Sequence, residues 1–213
     1  MDFIYKDNSI VVCLKPRGVL STDEPGGLPE LIRNEIGENE CVRTVHRLDR
    51  VVGGLMVLAR SGEAASILSE QIRKQELGKA YLAVTHGEIL RERGRMTDLL
   101  RRDKAERKTY VTGTPGPDAR EAILDYELLG RSGGMSLVRI ELLTGRTHQI
   151  RAQFSSRGFP LVGDRKYGDP EEKCGIALWS CFLEFRHPRS GRTLRFSAPP
   201  PDIYPWNVFD IQI

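Results

Sequence analysis

The sequence predicts an α+β fold, a mixed and largely antiparallel β-sheet core with flanking helices. Three observations carry this: short apolar or β-branched runs broken by glycine recur along the chain, helical spacing of apolar residues appears in few segments, and the two kinds of segment do not alternate regularly. With 213 residues, 39% of them hydrophobic and 29% charged, the chain has a globular composition. A chain of this length buries roughly 70% of its unfolded surface without a disulfide staple.

Taken in order, "SIVVCLKP" (9–16) reads as a strand stopped by Pro16 and Gly18. A loop rich in glycine and proline leads into "LPELIRNEIG", where Leu28, Leu31, Ile32 and Ile36 fall on one helical face. "GLMVLAR" (54–60) has strand length, and 61–76 places Ala64, Ile67, Leu68 and Ile72 on one helical face behind a Ser61 cap. "KAYLAVTHGEI" (79–89), "RKTYVTG", "EAILDYELLG" and "MSLVRIELLTG" are further strands. "THQIRAQFSSRG" (147–158) reads as a short helix capped by Thr147 and closed by Gly158. "CGIALWSCFLEFRHP" and "GRTLRFSAPPP" form a hairpin before a proline stop. With no internal repeat and no long linker, residues 1–213 read as a single domain.

The four cysteines, at 13, 41, 174 and 181, form no CxxC pair and have no histidines at zinc-ligand spacing, so neither a metal site nor a disulfide framework is expected. No leader and no run of eighteen apolar residues appears, which fits a cytoplasmic protein rather than a secreted or membrane-spanning one. Oligomeric state leaves no signal, and a monomer is the default expectation. Arginine makes up 24 of the 32 basic residues, a choice that suits phosphate and nucleic acid, although a GC-rich genome produces the same bias. Charge is also segregated: 91–108 holds eight basic and four acidic residues, whereas 23–40 holds six acidic residues and Arg33.

Three stretches could carry chemistry. In "HRLDR" (46–50), Asp49 lies between Arg47 and Arg50, whose guanidinium groups favour an ionised carboxylate fit for a nucleophile or base. The plainer alternative is a turn stapled by an Arg–Asp pair. Within 142–168, His148 and Arg151 are three apart on the predicted helix, forming either a working basic face or a solvated one. Tyr81, in "GKAYLAV", is either a site residue or core packing with a wet hydroxyl.

Taken together these stretches resemble the RluA-type pseudouridine synthases, which isomerise uridine within ribosomal or transfer RNA. "DNSIVVCLKPRGVLS" is similar to that family's opening strand and turn, "HRLDR…GGLMVLAR" to its aspartate motif, and "KAYLAVTHGEI" to its tyrosine strand. "LLTGRTHQIRAQFSSRGFPLVGDRKYG" and "LEFRHPRSGRTLRFSAPPP" are similar to its third motif and closing hairpin. The resemblance implies a pseudouridine synthase-like fold, structured RNA as partner, and no metal or organic cofactor.

It also implies roles. Asp49 is the nucleophile, and Arg47 fills the gap left when the uridine is flipped out. Tyr81 stacks on the base and takes the proton from ring carbon five. Arg151 pairs with the catalytic carboxylate, with Arg146 in reserve. His46, Arg50 and His148 are supporting polar contacts. Apart from the resemblance, the basic run 91–108, with Arg101 and Arg102, is expected from its charge to grip phosphates. Many members read D-R-D-T-S-G-L where this chain has Val51, Val52, Gly53 and Gly54 after Arg50, which bears on substrate identity. The chain opens on the catalytic strand, so the small N-terminal RNA-binding domain of many relatives is expected to be absent. Two other classes compete: a non-catalytic RNA-binding protein, which does not require Asp49, Tyr81 and Arg151 together, and a two-carboxylate glycosidase with Asp164 as second acid.

Overall fold

The computed structural model describes residues 2–212. In chain order the elements are β1 (Phe3–Lys6), β2 (Ile10–Lys15), α1 (Leu28–Ile36), β3 (Arg43–Thr44), β4 (Gly53–Ala59) and α2 (Gly62–Arg73). Then come β5 (Gly78–His86), β6 (Arg93–Asp103), β7 (Lys108–Thr112), β8 (Ala119–Ser132), β9 (Met135–Leu142), α3 (Gln149–Ser155), β10 (Leu178–Arg186) and β11 (Thr193–Ser197). A single 3-10 turn, Trp206–Val208, follows. The chain forms two compact units, residues up to 79 with 179–199, and 80–178 with 200–212. The fold is α+β, with few helices and mostly antiparallel pairing, as the sequence predicts. No helix among the described residues is long and apolar enough to cross a membrane.

In the first unit β4 is the central strand, and all seven of its residues are buried. It pairs antiparallel with β2 from Ile10↔Ala59 to Lys15↔Gly54 and with β3 at Thr44↔Leu58, and parallel with β10 at Trp179↔Gly53 and Ser180↔Gly54. Ile10, Val12, Leu55, Val57, Leu68, Leu183 and Phe185 build the core on one side. The Ser61 cap is as predicted, its side chain accepting the Ala64 N–H at 3.0 Å.

The parallel pairing explains the two consecutive glycines. A Cβ on Gly53 would lie 2.6 Å from Cζ3 of Trp179, and one on Gly54 would lie 2.5 Å from the Ser180 nitrogen. Gly54 also has a φ of +119°, which L side chains rarely adopt. β10 therefore approaches β4 at a distance that no side chain permits.

The second unit is an antiparallel sheet in which β5 pairs β9, β9 pairs β8, β8 pairs β6 and β6 pairs β7. The segment 91–108, which reads as a basic run, is largely the eleven-residue strand β6. Its cross-strand register sets Arg93 opposite Glu127 and Arg95 opposite Asp125, and both arginines form ion pairs there. β1 and β3 are further strands beyond those the sequence predicts. The third helix also differs. It starts at Gln149, its N-cap is His148 in the left-handed region (φ 55°), and no side chain caps it. Gln149 Oε1 instead accepts the Thr144 hydroxyl and the Arg146 N–H. Residues 149–154 are all buried, which removes the reading of this helix as a solvated basic face.

Gly54→Ala adds a methyl group that β10 does not accommodate, at a φ that opposes it. Overpacking and left-handed strain together cost about 3 kcal/mol or more, which for this length lowers the melting temperature on the order of 10 °C. Thermal unfolding measures it, and an unchanged transition would show that β10 can move aside.

Candidate active site

Between β3 and β4 the chain has no regular structure, yet residues 48–50 are held on both sides by the segment 15–21. The Ser21 hydroxyl donates to the Leu48 carbonyl at 2.8 Å and accepts the Leu48 N–H at 3.0 Å, as a neighbouring strand would. The Arg50 carbonyl accepts the Gly18 N–H at 2.8 Å, and Arg50 Nε donates back to the Gly18 carbonyl at 2.9 Å. Val52 N–H closes the turn on the Asp49 carbonyl at 3.0 Å. Asp49 therefore sits, half-buried, on a backbone fixed at both neighbours.

Beneath it lies Lys15, 0% exposed. Its ammonium donates to the carbonyls of Pro16 at 2.9 Å, Val19 at 2.8 Å and Arg50 at 3.3 Å, one acceptor for each proton. Burial pulls its pKa down to about 8, and the charge of Asp49 opposes that shift. A fixed positive charge therefore acts on the Asp49 carboxylate from within the unit.

His46 is 8% exposed, and its Nε2 accepts the Val57 N–H at 3.1 Å. β3 spans only two residues, and the imidazole takes up the β4 donor next to the last β3 pair. Burial, with the nearby charge of Lys79, pulls its pKa down to about 3, so the ring is neutral. The contact observed for His46 is internal. Arg47 and Arg50 are exposed.

In the second unit Tyr81, 7% exposed, stands on β5 opposite Ile140 of β9. Arg151, 5% exposed on α3, makes a two-pronged pair with Asp164, Nε to Oδ2 and Nη2 to Oδ1, both 2.8 Å. Oδ1 also accepts the backbone N–H groups of Lys166 at 3.1 Å and Tyr167 at 3.3 Å. With both oxygens occupied by a buried guanidinium, Asp164 orients Arg151 and is poorly suited to be the second acid of a glycosidase. His148 Nδ1 lies 2.9 Å from the Tyr167 hydroxyl, and Arg146 Nε donates to the Glu121 carbonyl at 2.9 Å. Arg101 and Arg102 lie exposed at the end of β6.

The structure thus groups His46, Arg47, Asp49 and Arg50 in the first unit, and Tyr81, Arg146, His148 and Arg151 in the second. Sequence reasoning assigned no role to Lys15, Ser21 or Tyr167. The signal for Lys15 was a lysine closing the apolar run "IVVCLK" directly before a proline. Among the described residues no cluster of three or more metal-ligating side chains occurs.

Residues 9–156 match the family described as RNA pseudouridylate synthase. A Bacillus subtilis protein named as the uncharacterized RNA pseudouridine synthase YlyB is 35% identical over 95% of this chain and 70% of its own length. Ribosomal large subunit pseudouridine synthase D of Neisseria meningitidis serogroup A is 32% identical over 96% of this chain, which spans 59% of that relative. Among solved structures, human RNA pseudouridylate synthase domain containing 1 superposes with a TM-score of 0.82 at 24% identity, covering 95% of this chain and 84% of its own, a likeness of fold.

Lys15→Met leaves three carbonyls without a donor, and a buried unsatisfied group costs about 1–3 kcal/mol. The pH dependence has a definite sign. The folded pKa near 8 lies below the ordinary 10.5, so between these values the unfolded chain binds more protons and wild-type stability rises with pH. The variant lacks this term, so its deficit against wild type grows from pH 8 to 10. Urea unfolding at both pH values measures it, and a constant deficit would mean that Lys15 titrates normally.

Proposed function

Because this chain belongs to the RNA pseudouridylate synthase family, we propose that it isomerises specific uridines to pseudouridine in a structured ribosomal or transfer RNA of the cytoplasm, using Asp49 as nucleophile. The observation that most supports the choice of Asp49 is its backbone, held by Ser21 on one side and Gly18 and Lys15 on the other, with a buried ammonium acting on its carboxylate. Catalysis favours a charged group fixed before the substrate arrives.

The reaction breaks the bond from the uracil N1 to the sugar C1′, joins C1′ to C5, releases the C5 proton and returns a proton to N1. It consumes no water and changes no oxidation state. Asp49 adds to the base ring, attacks C1′, or acts as a base that leads to a glycal, and all three routes start from the ionised carboxylate. In this reading Arg47, exposed and two residues away, occupies the stack from which the uridine is flipped. Tyr81 carries the base and accepts the C5 proton, and Arg151, oriented by Asp164, is the basic group that pairs with the catalytic carboxylate. Arg146, His148, His46 and Arg50 support these groups through the internal bonds already described, and the catalytic unit acts as a monomer without metal or cofactor.

Arg101 and Arg102 are proposed to grip phosphates. Arg101→Ala with Arg102→Ala is expected to weaken binding similarly across RNA sequences and to flatten the dependence of log affinity on log salt by up to about two units. Filter binding across a salt series reads both, and an unchanged slope would make this end of β6 a solvated tip.

Release of tritium from RNA labelled at uracil C5 tests the activity itself. Asp49→Asn keeps the size of the side chain and removes its charge, so the barrier rises by about 4 kcal/mol or more and release falls at least about a thousandfold, while RNA binding survives. Arg47→Ala weakens flipping at a cost of a few kcal/mol, and an RNA with its target uridine already unpaired regains part of the rate. Substantial release by Asp49→Asn overturns the nucleophile, and equal rates on the two RNAs for Arg47→Ala overturn the flipping role.

A further inference from the structure

Three of the four residues from Asp164 to Tyr167 in the second unit, Asp164, Lys166 and Tyr167, bond to α3 or to the basic hairpin formed by β6 and β7. Toward the helix, Asp164 takes the two-pronged pair from Arg151, and the Ser155 hydroxyl donates to the Tyr167 carbonyl at 2.7 Å. Toward the hairpin, Lys166 Nζ donates to the carbonyls of Glu106 and Arg107, both at 3.1 Å, and the Tyr167 hydroxyl accepts the Thr109 N–H at 2.7 Å. Thr109 is buried, so this N–H has no water to replace the hydroxyl.

The ring of Tyr167 has the same double orientation. The Arg151 guanidinium lies over it at 5.0 Å from the centroid, and the Lys108 ammonium lies at 5.1 Å. His148 meets it edge-on at 5.6 Å and 88°, with its Nδ1 on the hydroxyl. Leu100, Val111, Ala122 and Ala152 pack with it, so hairpin strand, sheet and helix share one apolar cluster. The hairpin end that follows carries cations. Residues 101–110 hold Arg101, Arg102, Lys104, Arg107 and Lys108 against Asp103 and Glu106, an excess of 5 − 2 = +3. Arg93 and Arg95, farther along β6, are by contrast already paired with acids.

We infer that Tyr167 is a positioning residue that couples the grip of the β6–β7 hairpin on RNA phosphates to the setting of the Arg151 guanidinium. The inference rests on the proposed phosphate grip of Arg101 and Arg102. One hydroxyl fixes where the hairpin charges stand, and the ring beneath it covers the arginine held by Asp164. A hairpin bound to RNA therefore bears on the side chain whose ring lies against the Arg151 guanidinium.

The test uses Tyr167→Phe, which keeps the ring against the two cations and removes only the hydroxyl, the acceptor for the Thr109 N–H and the partner of His148 Nδ1. RNA affinity and single-turnover rate at saturating RNA are measured for wild type, Tyr167→Phe, Arg101→Ala/Arg102→Ala and the triple variant, with melting temperature as a fold control. Loss of one buried hydrogen bond to the hairpin is expected to weaken RNA binding about three- to tenfold in Tyr167→Phe. In the triple variant the same change is expected to add less than about twofold, because the charges it places are gone. Lys166→Met, which removes the other tether of the hairpin, should show the same pattern. Effects that multiply fully in the triple variant, or wild-type affinity in Tyr167→Phe, overturn the inference alone. Wild-type affinity in Arg101→Ala/Arg102→Ala overturns the phosphate grip and the inference with it.

Discussion

A lysine ammonium with no access to water must be surrounded by oxygen, and this requirement organises the first unit. Burying a charge costs several kcal/mol unless its donors are satisfied. Lys15 meets that condition only while the carbonyls of Pro16, Val19 and Arg50 converge on it. Convergence of the first two makes the turn in which Gly18 adopts a φ of +86°. The third reaches across 35 residues and fixes the position of Arg50, and hence of Asp49 beside it. The order of β2 is thus carried into a segment that has no regular structure of its own.

The second unit solves a different electrostatic problem. Its sheet exposes many arginines, but acids answer them: Arg93 with Glu127 and Arg95 with Asp125 in the facing strand, and Arg139 with Glu141 along β9. Such exposed pairs contribute little to stability, a few tenths of a kcal/mol each, yet they leave the face nearly neutral. At the end of the β6–β7 hairpin, residues 101–110, five basic residues stand against two acidic ones. Arginine content alone overstates how much of this surface suits a polyanion, since Arg146 and Arg151 also hold protein groups.

Much of the architecture is legible in the sequence. The Ser61 cap, the apolar face of α1 and the uninterrupted apolar run of β4 each express one local rule, and each appears where that rule puts it. β6 is not legible because its outward residues are charged, and an Arg-Gly-Arg-Met-Thr pattern resembles a solvated stretch until Glu127 and Asp125 are seen opposite. The start of α3 is hidden for a similar reason. Thr147 is a good cap by type, but Gln149 reaches back to the loop and His148 turns left-handed. Burial of His46 and Arg151 could not be read from residue type, because polar residues move inside only where tertiary partners meet them. Val57 N–H and Asp164 are such partners, and each lies more than ten positions away in the chain.

The close approach of β10 to Gly53 and Gly54 also determines when the protein can finish folding during synthesis. The first unit begins at the amino-terminal end of the sequence, but the Gly53–Gly54 end of its central strand lacks its parallel partner until Trp179 and Ser180 emerge from the ribosome. By then residues 80–178, the body of the second unit, have already been made. At about 5–20 residues per second, β4 waits on the order of ten seconds with its Gly53–Gly54 end unpaired by β10. The parallel pairing of the first unit must therefore wait while the second is translated, although the bonds that hold the backbone on either side of Asp49 all come from residues 15–21, made long before.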